Sequence, residues 1–180
     1  MNGHNSMPTN GSERTFDVAI IGGGIVGVIL ALGLVKRNIN VTIYEQSKGF
    51  REIGAGVAFT SNAIKAMGIL DHRIVDALKR VATPNGDPDN PTDYLRFVDG
   101  YNHEGDPDDT NEKLLFTLYT GYRGFAGCHR AHLMDQIVKL VPDGRVVFGK
   151  RLDSWVDKGD ESKVLMNFTD GTTAEADAGK

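Results

Sequence analysis

The stretch VAIIGGGIVGVILALGLV, Val18 to Val35, carries no charge and is followed at once by Lys36 and Arg37. Its 18 residues meet the lower length limit of a membrane-spanning helix. Gly23 and Gly27 also make a GxxxG, a pairing pattern of membrane helices. Two features favour a different reading. Three successive glycines, Gly22 to Gly24, interrupt the run, and each costs about 1 kcal/mol against alanine inside a helix. The residues before them, Val18-Ala19-Ile20-Ile21, are short, apolar and partly β-branched, as a buried parallel strand is.

The next segment decides between the two. After Lys36-Arg37-Asn38 comes INVTIYE, a second buried-strand pattern that ends in Glu45. The sequence therefore predicts a strand over about 16–21, a glycine turn, a helix over about 25–37 and a strand over about 40–45. That is a βαβ unit with G-x-G-x-x-G at Gly22, Gly24 and Gly27, and an acid 21 residues past Gly24. In such a unit Gly22 permits the tight turn, Gly24 lets a pyrophosphate approach the backbone, and Gly27 lets the helix pack close to the sheet. The helix N-terminus offers N–H groups and partial positive charge to phosphates. Glu45 accepts hydrogen bonds from ribose hydroxyls, which disfavours a 2′-phosphate. Asn38 stands where a left-handed residue closes a helix, a place glycine or asparagine takes. A membrane-anchored interaction protein using 18–35 is the lesser alternative.

The totals agree with a folded domain. The chain has 180 residues, 40% hydrophobic and 24% charged, with a net charge of −4. That is enough for one domain with its own core, and the sign argues against a nucleic-acid binder. Between Thr83 and Glu112 nine acidic residues face one basic residue, Arg96, so 83–112 is expected to be an acidic solvated loop. Residues 1–15 are polar, lack an apolar signal segment and are expected to form a disordered arm, which points to a cytoplasmic protein. A single cysteine, Cys128, precludes an internal disulfide and reads as a buried small residue. His129 and His132 form H-x-x-H, but no third ligand accompanies them, so no metal site is expected. GDPDN at Gly86 and GDPDD at Gly105 lack the spacing of a calcium loop. The apolar positions of AIKAMGILDHRIVDALKRV, 63–81, read as helical core.

Residues 17–63, DVAIIGGGIVGVILALGLVKRNINVTIYEQSKGFREIGAGVAFTSNA, resemble the N-terminus of class A flavoprotein monooxygenases, the salicylate-hydroxylase-like group. Within it, GFREIGAGVAFTSNA is most similar to fungal FAD-dependent monooxygenases that dearomatise polyketide phenols. YLRFVDGY, Tyr94 to Tyr101, and the stretch from Gly121 to Leu152 resemble further segments of that family. The resemblance implies an α/β fold with a Rossmann-like start and an interleaved hairpin region, a partial FAD-binding domain over 16–180. It implies FAD as cofactor, NAD(P)H as electron donor, and oxygen transfer to a small aromatic substrate in secondary metabolism. It places Glu45 on the adenosine ribose, Gly54, Gly56 and Ala58 beside the flavin, Arg51 just before that turn, and Arg130 at the phosphate and ribitol.

KVLMNFTDGTTAEAD, 163–177, reads as a hairpin around Thr-Asp-Gly-Thr. In the family resembled here a further strand and two glycine-aspartate motifs follow, together with the proton-transfer residues, so no catalytic residue is assignable within 1–180. A parallel sheet short of a strand is expected to expose an edge and to favour self-association. A truncated nucleotide-binding remnant without activity is therefore the alternative to the enzyme.

Overall fold

The computed structural model describes residues 16–50, 55–84, 89, 93–99, 113–119, 125–157, 159, 163 and 164–179. The N-terminal unit has the expected order: β1 (Asp17–Ile21), α1 (Ile25–Val35) and β2 (Asn40–Glu45). β3 (Gly56–Phe59), α2 (Ser61–Leu70), α3 (His72–Lys79) and β4 (Thr83–Pro84) follow. β5 (Asp93–Asp99) and β6 (Lys113–Tyr119) pair as an antiparallel ribbon. β7 (Ala126–His129) leads into α4 (Arg130–Ile137) and a single 3-10 turn, Val138–Leu140. The chain then forms β8 (Val146–Phe148), β9 (Leu152–Val156), β10 (Val164–Phe168), β11 (Thr173–Ala176) and β12 (Ala178–Gly179).

The central sheet is parallel and runs β12-β1-β2-β8. Alternation along its strands sends side chains to two layers. Ile20, Val41 and Ile43 point into a core shared with α1, α3 and α4, where Val28, Leu32, Ile74, Leu78, Leu133 and Ile137 are buried. Ala19, on the other face of β1, packs with Met166, Phe168 and Ala176 of the antiparallel sheet β11-β10-β9. Tyr44 joins this second core, its ring centroid 5.0 Å from that of Phe168. The parallel sheet is thus covered on both sides, as its near-continuous apolar strands require. A third sheet, β3-β7-β4, links the two helical segments.

The end of α1 follows the sequence expectation in detail. Asn38 has φ 59°, the one positive value of a non-glycine residue among those described. Its N–H donates to the Val35 carbonyl at 2.9 Å, and the Ile39 N–H reaches back to Leu34 at 3.1 Å. These are the paired bonds of a Schellman closure. The hairpin expected over 163–177 is likewise present, with Gly171 at φ 80° in the turn.

Four expectations are corrected. The helix ends at Val35, with 36–38 as the closing turn. The stretch 63–81 is two helices broken at Asp71, and Ile69 is exposed. Asp71 itself is fully buried. It caps α3 by accepting the Arg73 N–H at 3.0 Å, and it also accepts from the Arg73 Nη2 at 2.6 Å. Its carboxylate could not stay in a continuing helix and satisfy this bond. The acidic stretch 83–112 is not loop throughout, since β4 and β5 lie in it; its remaining residues, apart from Asp89, and the arm 1–15 fall outside the described residues. Lastly, the strand of which the parallel sheet was expected to be short has begun within the chain: Ala178 and Gly179 pair with Val18 and Ala19.

A polar network holds this last strand in register at the end of the sheet remote from the glycine turn. The Asp17 N–H donates to Asp177 Oδ2 at 2.8 Å, and the Asp177 N–H returns to the Asp17 carbonyl at 2.9 Å. Lys163 Nζ donates to Asp17 Oδ2 at 3.0 Å, and Asn40 to Asp17 Oδ1.

Candidate nucleotide-binding site

The carboxyl ends of β1 and β2 build the candidate site, the usual place for a ligand in an open α/β sheet. β1 is followed by Gly22, whose φ of 106° turns the chain sharply toward α1. The Gly22 N–H is fixed to the Tyr44 carbonyl at 2.8 Å. A β-carbon on Gly27 would fall far inside the contact distance of the Gly22 carbonyl oxygen, so only glycine allows α1 to approach the turn this closely. Gly24 is the N-cap of α1 with no side-chain cap bond, and the first turn holds no acid. Its backbone N–H groups and positive dipole end are therefore available to an anion.

Glu45, at the end of β2, closes over this turn. Its Oε2 accepts the Gly23 N–H at 2.7 Å, and its Oε1 accepts the Ser47 N–H at 2.8 Å. Partial burial opposes ionisation, but these donors outweigh it and hold the carboxyl below the ordinary glutamate value. Glu45 is thus anionic at neutral pH, and each oxygen keeps acceptor capacity for a further donor. Arg130 arrives from the other side. It opens α4, its N–H donates to the Ala55 carbonyl at 3.0 Å, and its guanidinium reaches the glycine turn. A β-carbon built on Gly24 would stand 3.7 Å from Arg130 Nη2. The structure therefore brings Gly22, Gly24, Gly27, Glu45 and Arg130 together.

Gly56 and Ala58 lie on the exposed face of β3, opposite His129 and Gly127 of β7, while Val57 and Phe59 pack inward. Their partner strand β7 leads directly into Arg130 at the start of α4. Arg51 and Gly54 lie outside the described residues. Cys128 is half-buried, and burial pushes its thiol pKa up. The His129 and His132 rings lie 4.8 Å apart, and no group of three metal-ligating side chains occurs among the described residues. No helix among them is long and apolar enough to cross a membrane. The stretch 18–35 is divided among β1, the turn and the 11 residues of α1, so the membrane alternative does not hold for it.

Three residues next to Glu45 escaped the sequence reading. Ser47 supplies the second donor to the carboxylate. Phe50 lies against Gly23, and Phe148 stands beside Glu45 on β8. No motif marks them; Phe148 reads in sequence only as the last apolar residue of a strand.

No family model matches the chain. Curated relatives do. The chain is 53% identical over 166 residues to an FAD-dependent monooxygenase, pigN, of Monascus ruber, covering 92% of this chain and 36% of that protein. It is 50% identical to the FAD-dependent monooxygenase azaH of Aspergillus niger, covering 93% of this chain and 38% of that one. A salicylate hydroxylase of Sarocladium schorii is 47% identical, with 92% and 34% covered. Among solved structures, a salicylate hydroxylase in complex with its substrate superposes with a TM-score of 0.68 at 29% identity, covering 93% of this chain and 36% of that one. The Klebsiella pneumoniae HpxO structure with FAD and uric acid shares the fold, with a TM-score of 0.65 at 22% identity, covering 91% of this chain and 38% of that chain. The chain spans little more than a third of the length of these relatives. Over that span its sequence and fold match the N-terminal part of FAD-dependent monooxygenases.

Proposed function

We propose that the chain forms the nucleotide-binding part of an FAD-dependent monooxygenase that hydroxylates a small phenolic substrate, of polyketide type, with O2 and NAD(P)H. One observation carries the cofactor assignment: an uncapped helix N-terminus, an arginine and an anionic carboxylate converge on one glycine turn. The residues fit FAD. The α1 N–H groups and the Arg130 guanidinium would hold the diphosphate, the guanidinium through its planar fork of donors. Glu45 would accept the ribose hydroxyls, and its charge would repel a 2′-phosphate. Gly56 and Ala58 present a small, exposed strand face along which a flavin ring fits, and Arg51 and Gly54 are proposed as its further neighbours.

When bound, the flavin supplies the electron transfer from NAD(P)H and the activation of oxygen. The described residues bind and orient it. The aromatic substrate rests on the named activity of the salicylate hydroxylase relatives.

The test is flavin retention by the purified 180-residue chain. After loading with FAD and desalting, the chain is expected to keep close to stoichiometric flavin by absorbance. Glu45→Gln should weaken FAD about tenfold, since it removes charged acceptors from the ribose. Phenol-stimulated NAD(P)H oxidation by the loaded chain would extend the result from binding to activity. A folded chain that retains no flavin overturns the cofactor assignment.

A further inference from the structure

We infer that Phe148, braced by Phe50, is the seat on which the base of the bound nucleotide stacks. The inference rests on the FAD reading above and concerns the part of the site beyond Glu45. The strand order gives the direction. β1, β2 and β8 lie side by side, about 4.8 Å apart. The glycine turn stands over β1 and the ribose acceptor Glu45 over β2. A nucleotide with its diphosphate at the turn and its ribose on Glu45 runs along this line, so its base falls over the end of β8.

The residue there is Phe148. It is the register partner of Glu45 across the parallel pair, so both side chains rise from the same face of the sheet. Two bonds lock the strand ends together: the Lys150 N–H donates to the Glu45 carbonyl at 2.8 Å, and the Gly149 N–H to the Ser47 carbonyl at 3.0 Å. Phe148 is 38% exposed, a large apolar ring left open at the polar end of the sheet. It is not loose. The Phe50 ring meets it edge-to-face, with centroids 5.0 Å apart at 83°. Phe50 is itself held, since it packs on the main core and its Cε1 lies where a β-carbon on Gly23 would clash. The glycine turn, the carboxylate and the aromatic pair thus form one rigid row: anion seat, ribose acceptor, stacking face. A preorganised ring costs little order on binding, and stacking on such a ring tolerates any base while adding affinity.

The test uses the 180-residue chain with FAD, read by quenching of flavin fluorescence, and with ADP as a competitor that carries base, ribose and diphosphate without the flavin. Phe148→Leu keeps an apolar side chain and removes the stacking face. It is expected to weaken FAD and ADP by the same factor, about tenfold, with its urea midpoint unchanged. In Phe148→Trp affinity is kept, and ADP quenches the added indole fluorescence relative to the parent chain. If the parent binds FAD but Phe148→Leu binds both ligands as tightly, and ADP leaves the Phe148→Trp indole unquenched, the stacking assignment fails while the FAD reading stands. If the folded parent binds neither FAD nor ADP, both fail together.

Discussion

The βαβ unit at 17–45 and the ribbon of β5 and β6 are both rich in apolar residues, yet the fold treats them oppositely. In the first, Ala19, Ile20, Val28, Ala31, Leu32, Val41 and Ile43 are each no more than 2% exposed. In the second, Leu95, Phe97, Leu114, Phe116 and Leu118 range from 39% to 51% exposed. The ribbon pairs along its length with two register shifts: Phe97 stands opposite Phe116, and their rings stack with centroids 4.4 Å apart. Among the described residues no third strand joins it. A two-stranded ribbon has two faces and little of its own to put against them. The parallel sheet has helices on one side and β9–β11 on the other. Alternation and β-branching are enough to make a strand; burial, and the stability it brings, comes from the elements packed against it.

This contrast can be broken experimentally, and the largest effect is expected at the tightest contact. Gly27→Ala places a methyl against the Gly22 carbonyl, a backbone atom that cannot rotate away. We expect a loss of about 3 kcal/mol in urea unfolding, at the upper end for overpacking. A loss under about 1 kcal/mol would mean that α1 is not held against the turn as described.

The next effect lies at the helix junction on the same core. Asp71 is buried while Arg73 and Lys36, its cationic neighbours, stay half in solvent. The Arg73 side chain donates to its carboxyl, burial opposes, and the Arg73 N–H and the two positive charges add to the lowering. The net pKa lies below the ordinary aspartate value. A depressed carboxyl contributes stability above its unfolded pKa, and that contribution is lost as pH falls through the folded value. Asp71→Asn is therefore expected to lower stability by about 2 kcal/mol at pH 7. The gap to the parent should narrow as pH falls below about 3.9, the unfolded value. Urea midpoints from pH 7 to pH 2 check this, and a gap constant with pH would assign the effect to packing alone.

The smallest effect belongs to the ribbon. Leu118→Thr replaces a side chain 43% exposed with a good strand former. Its unfolding free energy in urea should change by no more than about 0.5 kcal/mol. A loss comparable to that of Gly27→Ala would show that the ribbon is covered in solution and would erase the contrast.

The same division runs through what was legible beforehand. β1, the turn, α1 and β2 could be read from residues 16–45, because each signal there is local: three glycines, an apolar period, an asparagine at the closing position, an acid at a fixed distance. The break at Asp71 could not, because the apolar period continues across it and only the buried bond to Arg73 ends the helix. The short β12 was missed for a related reason. Ala178 and Gly179 carry no strand propensity of their own, and their pairing with β1 is held by the Asp17–Asp177 bonds.

The sequence by itself determined the glycine turn, the acid that faces it and the resemblance to flavoprotein monooxygenases, since these depend on residue type and spacing along one short segment. Only the tertiary structure decided what stands beside that segment. Arg130 is more than a hundred residues from Gly24 and reaches it because β7 pairs with β3 and aims α4 at the turn. Phe148 meets Glu45 because β8 adds to β2 in a register no local pattern encodes. Side chains distant in the chain become neighbours through sheet pairing, and pairing is chosen by the layers that bury the sheet, not by the strand's own residues.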